Sequence, residues 1–361
     1  MNITEVKSKA EQKKFLAFRR EILGKNSHFV DNDIFMIKDL FAGKTSFTNN
    51  KEVKVYYVEE DGRILCEGMA VYTEQLKEYI QLSFFVSREG ADEAVTMLTD
   101  EVVKVGKAFG CTRLVIGLNG HVNYGLGLLA SGYEKGNSFG SAINHEYFNT
   151  YFKNMGCEEI TMSTYHIEKI DKQLERYAAF LRKVERNYTF KCFDKKHFEE
   201  YAKIYTDLNN LCFNHHRYYY PRTYQEDIEM LKELFLFMKE DSLIFAFDGD
   251  KPVAFIMWYP DFNELAKPGE AFGAKHFIKN LFLNKKLNTA KVMEYGVLEE
   301  YRTVGMPLVL IHQVFLKIVA NYGATRAETS WVLDENTDSS GFCKAVCDGV
   351  YKRYIVYEKE I

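Results

Sequence analysis

The sequence predicts an α/β (α+β) chain built from two similar units. Three observations lead there. The chain has 361 residues, long for one ordinary domain and comfortable for two. Hydrophobic residues make up 47% and charged residues 27%, so each unit has the material for a buried core. One order of elements (hairpin, strand, long helix, strand, short helix, strand) occurs twice, on either side of a charged stretch at 168–186.

In the first unit, residues 7–23 read as a helix. Residues 53–59 and 64–72 alternate as strands around the turn Glu60-Asp61-Gly62-Arg63. A third strand spans 79–86. An amphipathic helix spans 92–109 and is closed by Gly110. A strand at 112–117, a short helix at 145–155 closed by Gly156, and a strand at 159–167 complete the unit. Residues 168–186 form a helical linker.

The second unit begins with a strand at 189–192 and helices at 196–211 and 224–238. Strands at 243–248 and 252–258 flank the turn Asp248-Gly249-Asp250-Lys251. A strand at 291–297 precedes a helix at 308–322, which carries Leu308, Ile311, Phe315, Ile318 and Val319 on one face. A strand at 325–333, a short helix after Asn336 and a strand at 351–357 close the chain.

The formal net charge of -4 gives no basic excess of the kind a nucleic-acid binder carries. The seven cysteines are widely spaced. Their one close pair, Cys343 and Cys347, has helical spacing, with no second pair to make a zinc site. No metal is expected, and the cysteines read as reduced thiols of a cytoplasmic protein. The first twenty or so residues are polar and charged, unlike a signal peptide. No apolar run approaches the roughly 20 residues of a membrane helix.

The stretch with the clearest chemistry is Arg302-Thr303-Val304-Gly305-Met306-Pro307. It comes directly after a predicted strand and opens a predicted helix. A helix N-terminus offers unpaired N–H groups and the positive end of its dipole. A tight turn leading into it wraps those amides around a pyrophosphate. Gly305 lets the backbone come close. Pro307 suits the first helical position, and Arg302 supplies charge-assisted bonds to phosphate. Taken alone, the same letters also describe an ordinary strand–helix turn.

The stretch resembles motif A of the GNAT superfamily of N-acyltransferases, (Gln/Arg)-x-x-Gly-x-(Gly/Ala). Pro307 departs at the sixth position and removes one amide. Val297-Leu298-Glu299-Glu300-Tyr301-Arg302 is similar to the strand end leading into that motif. Trp331-Val332-Leu333-Asp334-Glu335-Asn336 resembles the next strand and its asparagine, and residues 351–357 resemble the closing strand. Residues 258–263 and 144–148 are similar to segments of a bacterial group of two-domain, tandem GNAT-like proteins.

The resemblance implies two GNAT-like domains, each a mixed, mostly antiparallel sheet flanked by helices. They fall at 1–167, a degenerate copy, and 187–361, the acyl-CoA-binding copy, with the linker at 168–186 between them. It implies direct transfer of an acetyl or other acyl group from acyl-CoA, as co-substrate, to a small-molecule amine, amino acid or amino sugar. Val297 or Leu298 is the backbone amide that polarises the thioester carbonyl. Arg302, Thr303, Val304, Gly305 and Met306 hold the pyrophosphate, and Asn336 contacts the pantetheine arm. The tyrosine that usually serves as general acid is missing, since Cys343 stands in its place with Phe342 beside it. Tyr351 and Tyr354 are the substitutes, of which Tyr351 is preferred, and both also read as packing residues of the closing strand.

Glu294, on the strand before the turn, is the leading general base. Its other reading is an ordinary strand carboxylate. Asp261 and Asn263 come after a strand end and are expected to face the acceptor, or else to shape a turn. Asn119 and His121 lie in a stretch with seven glycines between 117 and 140, read as an acceptor-binding loop at the domain cleft. In the first unit the corresponding turn, Ser87-Arg88-Glu89-Gly90-Ala91-Asp92-Glu93, brings three acidic residues to the helix start. Those charges repel a pyrophosphate. Two other readings stay open: a Fem-type aminoacyl transferase, which also pairs two such domains, and a non-catalytic ligand-binding protein.

Overall fold

The computed structural model describes residues 1–26, 28–283 and 286–361. The first half runs β1 (Asn2–Glu5), α1 (Lys9–Leu23), α2 (Ile34–Ala42), α3 (Ser46–Asn49), β2 (Lys51–Glu60) and β3 (Arg63–Thr73). It continues with β4 (Tyr79–Ser87), α4 (Asp92–Ala108), β5 (Arg113–Ile116), β6 (Leu128–Ser131), α5 (Tyr147–Asn154) and β7 (Glu158–Ile167). Helix α6 (Ile170–Glu185) leads into β8 (Thr189–Cys192), α7 (Phe198–Phe213), α8 (Tyr224–Leu234), β9 (Leu243–Asp248) and β10 (Lys251–Pro260). After α9 (Ala274–Leu283) come β11 (Thr289–Val297), α10 (Glu299–Arg302) and α11 (Met306–Asn321). The chain ends with β12 (Arg326–Thr329), β13 (Val332–Leu333), α12 (Thr337–Val346) and β14 (Gly349–Glu360).

Local signals explain many of these boundaries. Ser8 and Glu11 form a capping box that starts α1. Asp61 and Gly62 both take positive φ, which matches the tight turn joining β2 to β3. Helix α4 buries Ala94, Val95, Leu98, Val102 and Val105 at helical spacing against the sheet. Gly106 permits that approach, because a Cβ there would stand 2.5 Å from the Ile80 side chain. Among the described residues, no helix is long and apolar enough to cross a membrane.

The sheet is continuous, in the order β1-β2-β3-β4-β5-β14-β7-β12-β11-β10-β9-β8. Its centre is an exchange. The last strand of the chain, β14, pairs with β5 and β6 of the first half. The last strand of the first half, β7, pairs with β12 and β13 of the second. The two exchanged strands then pair with each other, from Gly349↔His166 to Glu358↔Glu158. Most ladders are antiparallel, but β4 with β5 and β11 with β12 are parallel. A parallel neighbour needs a crossover, supplied here by α4 and α11.

The strand expected at 325–333 divides into β12 and β13. Up to Thr329 the chain lies between β11 and β7, whereas β13 pairs with β7 alone. The helix expected to reach Met238 stops at Leu234, and Phe235 and Met238 turn into the core. Helices α2 and α9 and strand β6 were not expected.

Candidate active site

Strands β11 and β12 run side by side from Thr289↔Arg326 to Val292↔Thr329. The Ser330 N–H then donates to the Val292 carbonyl at 2.8 Å, and the strands part. At the same place Met293 is an extra residue in β11, opposite the Met257–Trp258 step of β10. Such a bulge bends a strand and re-aims the side chains beyond it. A cavity of about 1100 Å³ opens along residues 292–297 of β11 and runs between α11 and α12.

The open edge of β11 has polar backbone to offer. The Leu298 N–H is bonded to the Val253 carbonyl at 3.0 Å, so it belongs to the β10 ladder. Antiparallel pairs alternate between bonded and unbonded positions. The Val297 N–H, one residue back, therefore faces the gap. Of these two amides, that of Val297 faces the gap and that of Leu298 is bonded to β10.

The turn at Arg302–Pro307 lies at one end of this gap. A short helix, α10, precedes it, and Gly305 caps α11 with φ 88°. Among the described residues, the N–H groups of Val304, Gly305 and Met306 have no hydrogen-bond partner. Pro307 is the second helical residue rather than the first. Arg302 donates through Nε to the Val297 carbonyl at 3.1 Å, tying the turn to the strand end. Arg302, Thr303 and Pro307 line the cavity. Across from them, Asn336 caps α12 by accepting from the Ser339 N–H at 3.1 Å, and it too lines the cavity. Cys343 is buried on the same wall.

Glu294 comes just after the bulge and is partly buried on the cavity wall. Tyr205 of α7 donates its hydroxyl to one carboxylate oxygen. Asn209 of α7 and Asn123 of the glycine-rich stretch donate to the other, at 3.2 and 3.4 Å. Burial pushes the Glu294 carboxyl up from its ordinary value, while the Arg222 charge and these hydrogen bonds hold it back. Arg222 reaches Tyr205 at 3.1 Å and forms a fully buried ion pair with Asp227 at 2.7 Å. This network joins both halves of the chain at one carboxylate.

No family model matches the sequence. Protein YghO of Escherichia coli K12 is 22% identical over 264 residues, covering 71% of this chain and 67% of that one. A tandem GNAT protein from the clavulanic acid biosynthesis pathway superposes with a TM-score of 0.58 at 11% identity, over 99% of this chain and 98% of that one. The chain has a GNAT-like two-domain fold. A probable N-acyltransferase of Enterococcus faecalis V583 gives a TM-score of 0.56 at 8% identity, over 100% of this chain and 72% of that one. A glucosamine N-acetyltransferase region of a fungal multi-domain β-N-acetylglucosaminidase gives 0.59 at 13% identity. It matches 99% of this chain, which spans 38% of the fungal protein's length.

Within this GNAT-like fold several expected site residues stand elsewhere. Asp261 accepts from the N–H groups of Phe139 at 2.8 Å and Asn263 at 3.1 Å, and burial pushes its carboxyl up to about 7. Asn263 donates to the Asn137 carbonyl at 2.7 Å. Both join the halves, and with Tyr351 they line a second cavity of about 270 Å³. Tyr351 and Glu294 thus open on different cavities, so Tyr351 is not placed as the proton-transfer partner of Glu294. His121 is fully buried, donating through Nε2 to the Tyr220 carbonyl at 3.0 Å and accepting at Nδ1 from the Asn123 N–H at 3.2 Å. It positions Asn123 and does not line the cavity. Among the described residues, no group of three or more His, Cys, Asp and Glu is arranged to hold a metal ion.

Asn119 lines the large cavity, but its side-chain oxygen accepts from the Phe84 N–H at 3.1 Å. That bond belongs to the first half's counterpart of the gap. There β4 and β5 part after Leu82↔Ile116. The space is closed by the chain itself: Ser83 donates to the Leu118 carbonyl, and the Gly120 N–H donates to Gln81 at 2.8 Å. Phe84 takes φ 53° there, a strained value for a bulky residue.

Proposed function

We propose that the protein is an acyl-CoA-dependent N-acyltransferase working by direct transfer at the β11–β12 gap. The observation that carries this reading is one cavity lined by Arg302, Thr303 and Pro307 of the turn, by Val297 and by Glu294. The turn holds the pyrophosphate on N–H groups and a helix dipole, with Gly305 allowing close approach. The bound thioester supplies the activated acyl group. The Val297 N–H donates to its carbonyl oxygen as negative charge develops. Glu294 removes one proton from the acceptor ammonium, and the freed nitrogen forms the amide bond as the C–S bond breaks. The second nitrogen proton passes to the departing sulfur.

We assign coenzyme A to the second half, about 187–361, and regard 1–167 as a degenerate copy joined by 168–186. The filled gap around Asn119 supports this, as does the Arg88–Glu21 ion pair at 2.7 Å beside the acidic turn. The reading is tested by thiol release from acetyl-, butyryl- and longer acyl-CoA over a panel of primary amines. Amine-dependent release is expected. No release with any pair, together with no coenzyme A binding, would overturn it.

A further inference from the structure

The cavity extends beyond Glu294 to a mouth between α2 of the first half and α8 of the second. We propose that this mouth binds a second positive charge on the acceptor, so that the acceptor is an amine with two cationic groups joined by an apolar chain. The proposal rests on reading the β11–β12 gap as the acyl-transfer site.

Asp39 of α2 and Glu233 of α8 line the mouth. Among the described residues, neither side chain forms a hydrogen bond or an ion pair. Nearby Asp33 differs, being bonded to Arg19 at 2.6 Å. Burial pushes both groups up, reinforced at Asp39 by Glu229 and at Glu233 by Asp39 and Glu229. Asp39, Glu229 and Glu233, from two halves of the chain, are thus close enough to repel, and of the three Glu229 alone has a lysine, Lys232, and hydrogen bonds from Ser46 beside it among the described residues. A ligand cation offsets that repulsion.

The wall between this mouth and Glu294 is aromatic, with Phe139, Phe237, Tyr259 and Phe272. It fits an apolar spacer, and ring faces attract cations. Among the described lining residues there is no lysine, and the arginines are Arg217 and Arg302. Arg302 belongs to the α11 turn. Arg217 is bonded to Glu335 at 3.0 Å and to Glu358 at 3.3 Å. His216 is held neutral by burial, its pKa pushed down to about 4. Among the described lining residues the acceptor end therefore has no free lysine or arginine to hold a carboxylate or phosphate. This disfavours amino acids and sugar phosphates and favours diamines.

The test is calorimetric titration of the full chain with hexamethylenediamine, hexylamine and ε-aminocaproate, each with and without saturating coenzyme A. The diamine is expected to bind tightest and ε-aminocaproate weakest. In the double variant Asp39→Asn and Glu233→Gln, diamine affinity is expected to fall about tenfold, the size of two partly screened charge pairs. Hexylamine and coenzyme A affinities stay unchanged. Because neither carboxylate carries a hydrogen bond, the variant keeps its fold, which a melting curve checks. Equal binding of hexylamine and diamine, tighter binding of ε-aminocaproate, or no diamine binding in either state overturns the proposal. Failure of coenzyme A to bind instead overturns the acyl-transfer reading, and the arm without coenzyme A keeps the two failures apart.

Discussion

At Glu294, burial raises the carboxyl pKa while Tyr205, Asn209 and Arg222 lower it. The proposed base must be deprotonated to act, so kcat/KM is expected to fall as pH drops through this raised pKa. Glu294→Gln keeps the size of the side chain and removes the base. It is expected to lower kcat by about 100-fold or more with little change in acyl-CoA KM, read from steady-state kinetics. Tyr205→Phe removes a donor that favours the charged form. The acidic limb of the pH profile is then expected to move to higher pH, whereas a merely structural role for Tyr205 would leave the limb in place. Arg222 is a poorer probe. Breaking its buried pair with Asp227 costs about 3–5 kcal/mol and destabilises the fold.

Glu294 was legible as a candidate because it lies on the strand that leads to the glycine turn. Its partners were not. Tyr205 and Asn209 come from α7, Arg222 from the segment after it, and Asn123 from the other half of the chain. No local spacing reports that convergence. Asp261 and Asn263 illustrate the local case. Their i,i+2 spacing served a turn and a contact between halves, the plainer of the two readings open in the sequence.

Among the elements, the turn before α11 carries the most of the proposed function per residue. Gly305 holds φ 88°, where a side chain costs about 1–2 kcal/mol in the left-handed region. A β-branched residue there displaces the amides that face the proposed pyrophosphate. Gly90, at the first half's turn, also has positive φ (74°), and a Cβ there meets no atom within 4 Å. Gly305→Val is therefore expected to lose coenzyme A affinity, and Gly90→Ala to keep it. Hairpins and long helices were readable because Asp-Gly turns, capping residues and apolar spacing are local. The break between β12 and β13 was not, since it depends on losing one neighbour while keeping another. Strand β6 was hidden for a related reason. It sits in the glycine-rich stretch and forms only by pairing with β14, more than 200 positions away in sequence.

Over the whole molecule, the repeat of elements was visible in the order of the sequence, but the exchange of last strands was not. Both β7 and β14 come after a short helix, and their patterns do not say which sheet they enter. The exchange has a mechanical consequence. Without β14, the edge of β5 from Arg113 to Ile116 and its polar backbone are left unpaired. A fragment of residues 1–167 is expected not to fold cooperatively, and the full chain to melt in one transition. Circular dichroism against temperature checks both. A fragment with its own sharp transition at the temperature of the full chain would show that the exchange contributes little.

The exchange also bears on the site, because Asn123 of one half holds Glu294 of the other while the first half's own gap is filled by its chain. Under the proposed function, one gap among the described residues is left to take a pyrophosphate and a pantetheine arm. Titration calorimetry with coenzyme A, on the native chain and on Gly305→Val, tests this most directly. The predicted result is one molecule bound per chain, with binding weakened at least about tenfold in Gly305→Val, a change of about 1.4 kcal/mol. No binding, two molecules per chain, or undiminished binding in Gly305→Val would contradict it.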